Sequence, residues 1–154
     1  MKTLGLFIAQ GLGSGRLPYA PGTWGTLAFL LVGWGLLSIE VYFQWLFFVL
    51  LVSLSFWSIP IAGEILGETD HSSIVIDEWS GCCFTILGVS YILDVNNWFI
   101  ILLSFFAFRF LDIIKPWPIS WAENRFSGSF GVLFDDLLAG LGVICLTSFL
   151  SPFL

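Results

Sequence analysis

The feature that most constrains this chain is a series of charge-free apolar runs, each closed by a short polar segment. The longest, Val41–Gly63, has no charged residue and is rich in Phe, Leu and Val. About 20 such residues suffice for a helix to cross a hydrocarbon layer. Thr23–Ile39, Trp79–Leu93, Trp98–Phe108 and Leu133–Phe149 are shorter runs of the same kind. Composition agrees: 58% of the residues are hydrophobic and 10% are charged, against about 25% charged in a soluble domain. The sequence therefore predicts one all-α domain, an integral membrane helical bundle of about five spans, with the shorter runs crossing or re-entrant.

Breaker residues set the boundaries. Met1–Ala9 reads as a short interfacial helix. Gly11–Gly22, with five glycines and two prolines between residues 11 and 25, reads as a loop, and Thr23 as the cap of the first span. Pro60 should kink or end the second span. Asp94–Asn97 reads as a turn. Lys115-Pro116-Trp117-Pro118 should close the fourth span. Ile119–Phe126 has the pattern of an amphipathic surface helix with Trp117 and Trp121 at headgroup level. Ser127–Gly131 reads as a flexible loop, placing Asp135 and Asp136 in the first turns of the last span. Five crossings put the N-terminal loop, residues 64–78 and residues 112–131 on one side. All five basic residues fall on or near it, so the positive-inside rule makes that side cytoplasmic.

The chemistry gathers on that side. Residues 109–136 hold three of the five basic residues and four of the eleven acids. Asp77 and Glu78 open one apolar run, Asp135 and Asp136 open another, and Asp112 ends a third. Carboxylates at the edge of a hydrocarbon layer are costly unless paired, hydrated or bound to metal. Five converging would repel one another without a cation, and oxygen-only ligands suit Mg²⁺. The alternative for any one acid is simple stabilisation at a helix N-terminus. Arg109, Asp112 and Lys115 stand three residues apart, on one helix face: a phosphate clamp or an exposed ion-pair ladder. The Gly-rich loop, with Gly13 and Ser14, can offer amides to an anion or serve only as a flexible lead into the first span. His71, the only histidine, is a candidate general acid for a leaving alkoxide or an ordinary loop residue.

Elimination narrows the reaction. One histidine is too few for a phosphatase that uses two. Cys82, Cys83 and Cys145 lack the arginine offset of a cysteine phosphatase loop and the spacing of a zinc site, and read as packing residues. A net charge of −6 argues against nucleic acid. Metal-assisted attack of water on a phosphate ester remains.

Four blocks carry a resemblance: GLGSGRLPYAPGTWGTL at 11–27, DHSSIVIDEWSG at 70–81, FRFLDIIKPWP at 108–118 and GVLFDDLLAG at 131–140. In this order they resemble the phosphatidylglycerophosphatase A family. The resemblance implies Mg²⁺-dependent dephosphorylation of phosphatidylglycerophosphate to phosphatidylglycerol at the bacterial inner membrane. It also implies an all-helical fold with one central helix surrounded by others. Asp70, His71, Asp77, Glu78, Arg109, Asp112, Lys115, Asp135 and Asp136 match its motif positions. RFSGSFG departs from it, with Ser129 where a second glycine is expected. The expected site has Asp77, Glu78, Asp135 and Asp136 holding Mg²⁺ and activating water. Arg109 and Lys115, with Gly13 and Ser14, would bind phosphate, and Asp112 and His71 would complete the catalytic set. The other reading is a small membrane transporter or ion-binding protein, which would need charge near mid-membrane. The centres of the runs carry none.

Overall fold

A computed structural model describes residues 1–94 and 97–153. Seven α-helices lie among the described residues: α1 (Lys2–Ala9), α2 (Pro21–Leu36), α3 (Val41–Leu66), α4 (Ile76–Leu93), α5 (Trp98–Ile114), α6 (Ile119–Arg125) and α7 (Gly128–Leu150). A short 3-10 turn spans Gly11–Arg16, and no strand occurs among the described residues.

Helix α4 is the axis. From Ile76 to Ser90 nearly every residue is buried, and α2, α3, α5 and α7 all pack against it. Its sequence explains the placement. Gly81 and Gly88 present no side chain and Thr85 only a short one, so α7 comes close. A Cβ on Gly81 would lie 2.7 Å from the Phe108 ring and 2.8 Å from the Asp136 carbonyl, and one on Gly140 would lie 2.8 Å from Thr85. Small residues at a crossing let backbones approach in a bundle whose surroundings are apolar. The indole of Trp79 ties α4 to α2, donating to the Gly25 carbonyl at 2.8 Å.

The outer helices turn apolar side chains outward. Leu31, Phe99, Phe106, Phe110 and Phe149 are exposed, Phe106 by 65%. Exposed apolar side chains gathered in this way mark surfaces that meet lipid or a partner. By length and composition α3 and α7 can each cross a membrane. Helices α2, α4 and α5 are shorter, with 16, 18 and 17 residues, or about 24–27 Å at 1.5 Å per residue.

Several boundaries differ from the expected ones, each for a local reason. Helix α2 starts at Pro21, so Thr23 lies inside it rather than capping it; proline suits a first helical position because its missing donor has no helical partner. Pro60 lies inside α3, which runs on to Leu66. Helix α5, by contrast, closes where expected: it runs past Arg109 to Ile114, and Lys115 is its left-handed cap, with φ 46°. Helix α7 begins at Gly128, absorbing the expected loop. The Phe126, Phe130 and Phe134 rings pack in series along this start, 5.2–5.3 Å apart. Residues 95 and 96 of the expected 94–97 turn lie outside the described residues.

Candidate active site

Three chain segments meet at one end of the bundle. The 70–78 segment leads into α4, the last turns of α5 carry Arg109 and Asp112, and α7 carries Asp135 and Asp136. Between them lies a polar cavity of about 110 Å³ lined by Asp70, His71, Asp77, Glu78, Asp112, Lys115, Asp135 and Asp136, with Ser72, Ile74 and Val132. Six carboxylates thus face one small space with one lysine.

The pairing among them is uneven. Arg109 donates to Asp112 at 2.6 Å and to Glu78 at 3.5 Å. Lys115 donates to Asp135 at 2.6 Å and to Glu123 at 2.8 Å. The left-handed turn at Lys115 takes its side chain off the α5 face, so the expected three-rung stripe becomes two separate clamps. Asp77 and Asp136 are 6% and 4% exposed. Asp77 Oδ1 and Glu78 Oε2 are buried with no hydrogen-bond partner among the described residues. A buried, unpaired carboxylate oxygen is costly, and like charges this close add to the cost.

The early start of α7 matters here. Asp135 and Asp136 sit two turns inside the helix, beyond the reach of its N-terminal dipole. Stabilisation at a helix N-terminus does not account for them. Asp77 and Glu78, in the first turn of α4, do have that support.

Charge also acts on the rim. Burial raises the Asp70 carboxyl above its ordinary range; Lys115 opposes that rise, and Glu123, Glu68 and Asp112 add to it. Burial lowers the Lys115 ammonium, but its hydrogen bonds to Asp135 and Glu123 outweigh this and hold it above its usual value. Lys115 therefore stays a cation.

Among the described residues no group of three acids is arranged to hold a metal ion as it stands. The donor set nevertheless fits one. Its six acids offer oxygen ligands, two buried oxygens lack partners, and the acids outnumber the cations. That is the chemistry of a small hard cation with water completing its shell.

Most of the expected site residues line this cavity, and Arg109 reaches it through Asp112 and Glu78, but two take no part. Gly13 and Ser14 are not among the cavity residues. The Gly13 amide donates to the Gln10 carbonyl at 3.0 Å, and the Ser14 hydroxyl to the Gly11 carbonyl at 2.8 Å. These donors close a local turn away from the cavity. The Gly-rich segment reaches the site through Gly22 instead. A Cβ there would run into the Glu78 carboxylate and come within 3.2 Å of Arg109. Asp70 also stands on the cavity wall, and Glu123 is the second partner of Lys115; neither belongs to the expected site. Nothing in the local pattern of Glu123 marks it, since its partner lies eight residues away across a turn.

The chain is similar to known proteins over most of its length. Residues 7–151 match the family described as phosphatidylglycerophosphatase A. The phosphatidylglycerophosphatase A of Escherichia coli strain K12 is 35% identical over 138 residues, covering 87% of this chain and 76% of that protein. Its Haemophilus influenzae counterpart is 36% identical over 135 residues, covering 87% and 80%. A Bacteroides thetaiotaomicron protein, provisionally named a phosphatidylinositol-3-phosphatase, is 37% identical over 145 residues, covering 90% and 87%. No solved structure matches. With the family match spanning nearly the whole chain and the acidic cavity built from its motif blocks, the chain belongs to the phosphatidylglycerophosphatase A family.

Proposed function

We propose that this protein is a lipid phosphatase that hydrolyses phosphatidylglycerophosphate to phosphatidylglycerol and inorganic phosphate, with Mg²⁺, at the cytoplasmic face of a bacterial inner membrane. The observation that carries the reading is the cavity in which six carboxylates, Lys115 and the nearby Arg109 converge at one end of an apolar bundle. The names of the Escherichia coli and Haemophilus influenzae relatives support the substrate.

Asp77 and Glu78 from α4, with Asp135 and Asp136 from α7, would hold the Mg²⁺. When bound, it supplies charge neutralisation for the acids and Lewis acidity toward a phosphoryl oxygen. The chain's own groups do the rest. Lys115 and Arg109 offer cations to the terminal phosphate, and Asp112 keeps the Arg109 guanidinium oriented. A cavity carboxylate accepts a proton from the attacking water as its oxygen bonds to phosphorus and the ester P–O bond breaks. The departing glycerol oxygen recovers a proton, so water and ester are converted to alcohol and phosphate in balance. His71 faces the same space. The five long helices would stand in the bilayer, with the shorter ones spanning through local thinning, and the acyl chains would remain in the lipid.

The test is phosphate release by the purified full-length protein in mixed micelles, with Mg²⁺ or with EDTA. Phosphatidylinositol 3-phosphate serves as the competing substrate suggested by the Bacteroides relative. The account expects Mg²⁺-dependent release from phosphatidylglycerophosphate with higher kcat/KM. Release from neither lipid above the EDTA control contradicts it; preference for the inositol lipid would reassign the headgroup.

A further inference from the structure

The imidazole of His71 is held from one side by a directed chain of hydrogen bonds. The Ser73 backbone N–H donates to Nδ1 at 3.1 Å. A backbone amide can only donate, so Nδ1 is an acceptor and the neutral ring carries its proton on Nε2. The Ser73 hydroxyl lies 2.9 Å from the same nitrogen. Its direction is set from behind, because the Gln10 side-chain amide donates to Ser73 Oγ at 3.1 Å. The Ser73 proton is thereby free to point at Nδ1. Gln10 is oriented in turn by Arg16, whose Nε donates to Gln10 Oε1 at 2.6 Å. An arginine N–H only donates, so the amide oxygen must face it and the amide nitrogen must face Ser73.

This chain is built rather than incidental. Gln10 is 5% exposed. Its carbonyl accepts from the amides of both Gly13 and Gly15, at 3.0 and 3.1 Å. Gly11 and Gly13 have φ of +53° and +97°, conformations that favour glycine, and these fold the backbone around Gln10. The Val75 amide donates to the Ala9 carbonyl at 2.9 Å, pinning the two segments together. The Gly-rich segment, whose amides do not line the cavity, thus reaches the site through Gln10 as well as Gly22.

We propose that His71 works as a neutral hydrogen-bond donor through Nε2, not as a proton-transferring acid, and that Ser73, Gln10 and Arg16 are positioning residues that hold it in that state. This rests on the phosphatase reading for what His71 donates to: an oxygen of the phosphate ester as charge builds on it. No proton leaves the ring. The proton that the attacking water loses goes to a cavity carboxylate, and the departing alkoxide recovers it from there.

His71 is the only histidine in the chain, so ¹⁵N-histidine labelling of the full-length protein in micelles reports its tautomer without assignment. The wild-type spectrum should show an acceptor-type Nδ1 and a protonated Nε2. Ser73→Ala removes the hydroxyl. Gln10→Glu keeps side-chain size and the Arg16 contact but replaces the donor amide with an acceptor, drawing the Ser73 proton away from the ring. Because the Ser73 amide still donates to Nδ1, both should keep the proton on Nε2 but leave the ring less firmly held, lowering kcat about ten-fold on phosphatidylglycerophosphate with KM within about two-fold, a modest share of what positioned donors supply. A wild-type proton on Nδ1 overturns the proposal. So do variants with an unchanged kcat, or kcat and KM that deteriorate together. Wild-type protein that releases no phosphate defeats the phosphatase reading, and the spectra still judge the hydrogen-bond chain.

Discussion

At the scale of single residues, the site is a collection of charges that folding alone does not favour. Asp136 shows this best: it is 4% exposed, shares its cavity with five other carboxylates, and sits too far along α7 for dipole support. Asp136→Asn keeps the shape and removes one repelling charge. It should lower kcat/KM at least 100-fold while leaving the metal-free melting temperature equal to or above that of the wild type, the trade expected where function opposes stability. Thermal unfolding with EDTA, beside phosphate release with Mg²⁺, reads both. Lys115→Met has the opposite stability outcome. It strips Asp135 of its 2.6 Å partner, so activity should fall and unfolding free energy should drop by about 1–3 kcal/mol, measurable by chemical denaturation in micelles. The acids and the Arg-Asp-Lys spacing were legible because charge inside an apolar sequence demands an explanation. Their partners were not, since the contacts of Lys115 with Asp135 and of Gln10 with Ser73 join residues 20 and 63 positions apart.

At the scale of elements, position depends on close approach. The α4–α7 crossing puts Gly81 against the Asp136 carbonyl and the Phe108 ring. Gly81→Val should therefore cost about 1–3 kcal/mol by overpacking and depress activity together with stability, unlike Asp136→Asn. At the other contact, Gly22→Ala drives a methyl into Glu78. It should cut kcat/KM at least ten-fold with little change in secondary structure by circular dichroism. The sequence marked the apolar helices and the surface helix α6 well, because hydrophobic runs and Lys-Pro-Trp-Pro are local signals. It misplaced the start of α7 because Ser127–Gly131 reads as a loop by composition, whereas Phe126, Phe130 and Phe134 at four-residue spacing hold it helical. It placed Gly13 and Ser14 at the phosphate because Gly-rich segments before helices often bind anions. Here those donors are consumed inside the turn.

At the scale of the whole molecule, an apolar girdle surrounds the bundle and the titratable groups of the site gather at one end. The proposed topology puts that end in the cytoplasm and Glu40 on the far side. In a background with all three cysteines replaced, a single cysteine at Glu123 should react with an impermeant maleimide only from the cytoplasmic side of oriented vesicles, and one at Glu40 only from the other. The reverse pattern would invert the orientation. On the proposed function this one cavity, and no other part of the molecule, performs the hydrolysis. The most direct measurement is phosphate release from phosphatidylglycerophosphate at saturating Mg²⁺ by wild-type protein and by the Asp77→Asn/Asp136→Asn double variant, matched for folded protein. The wild type should turn over, and the variant should release less than about one hundredth as much. Undiminished release by the variant would contradict it.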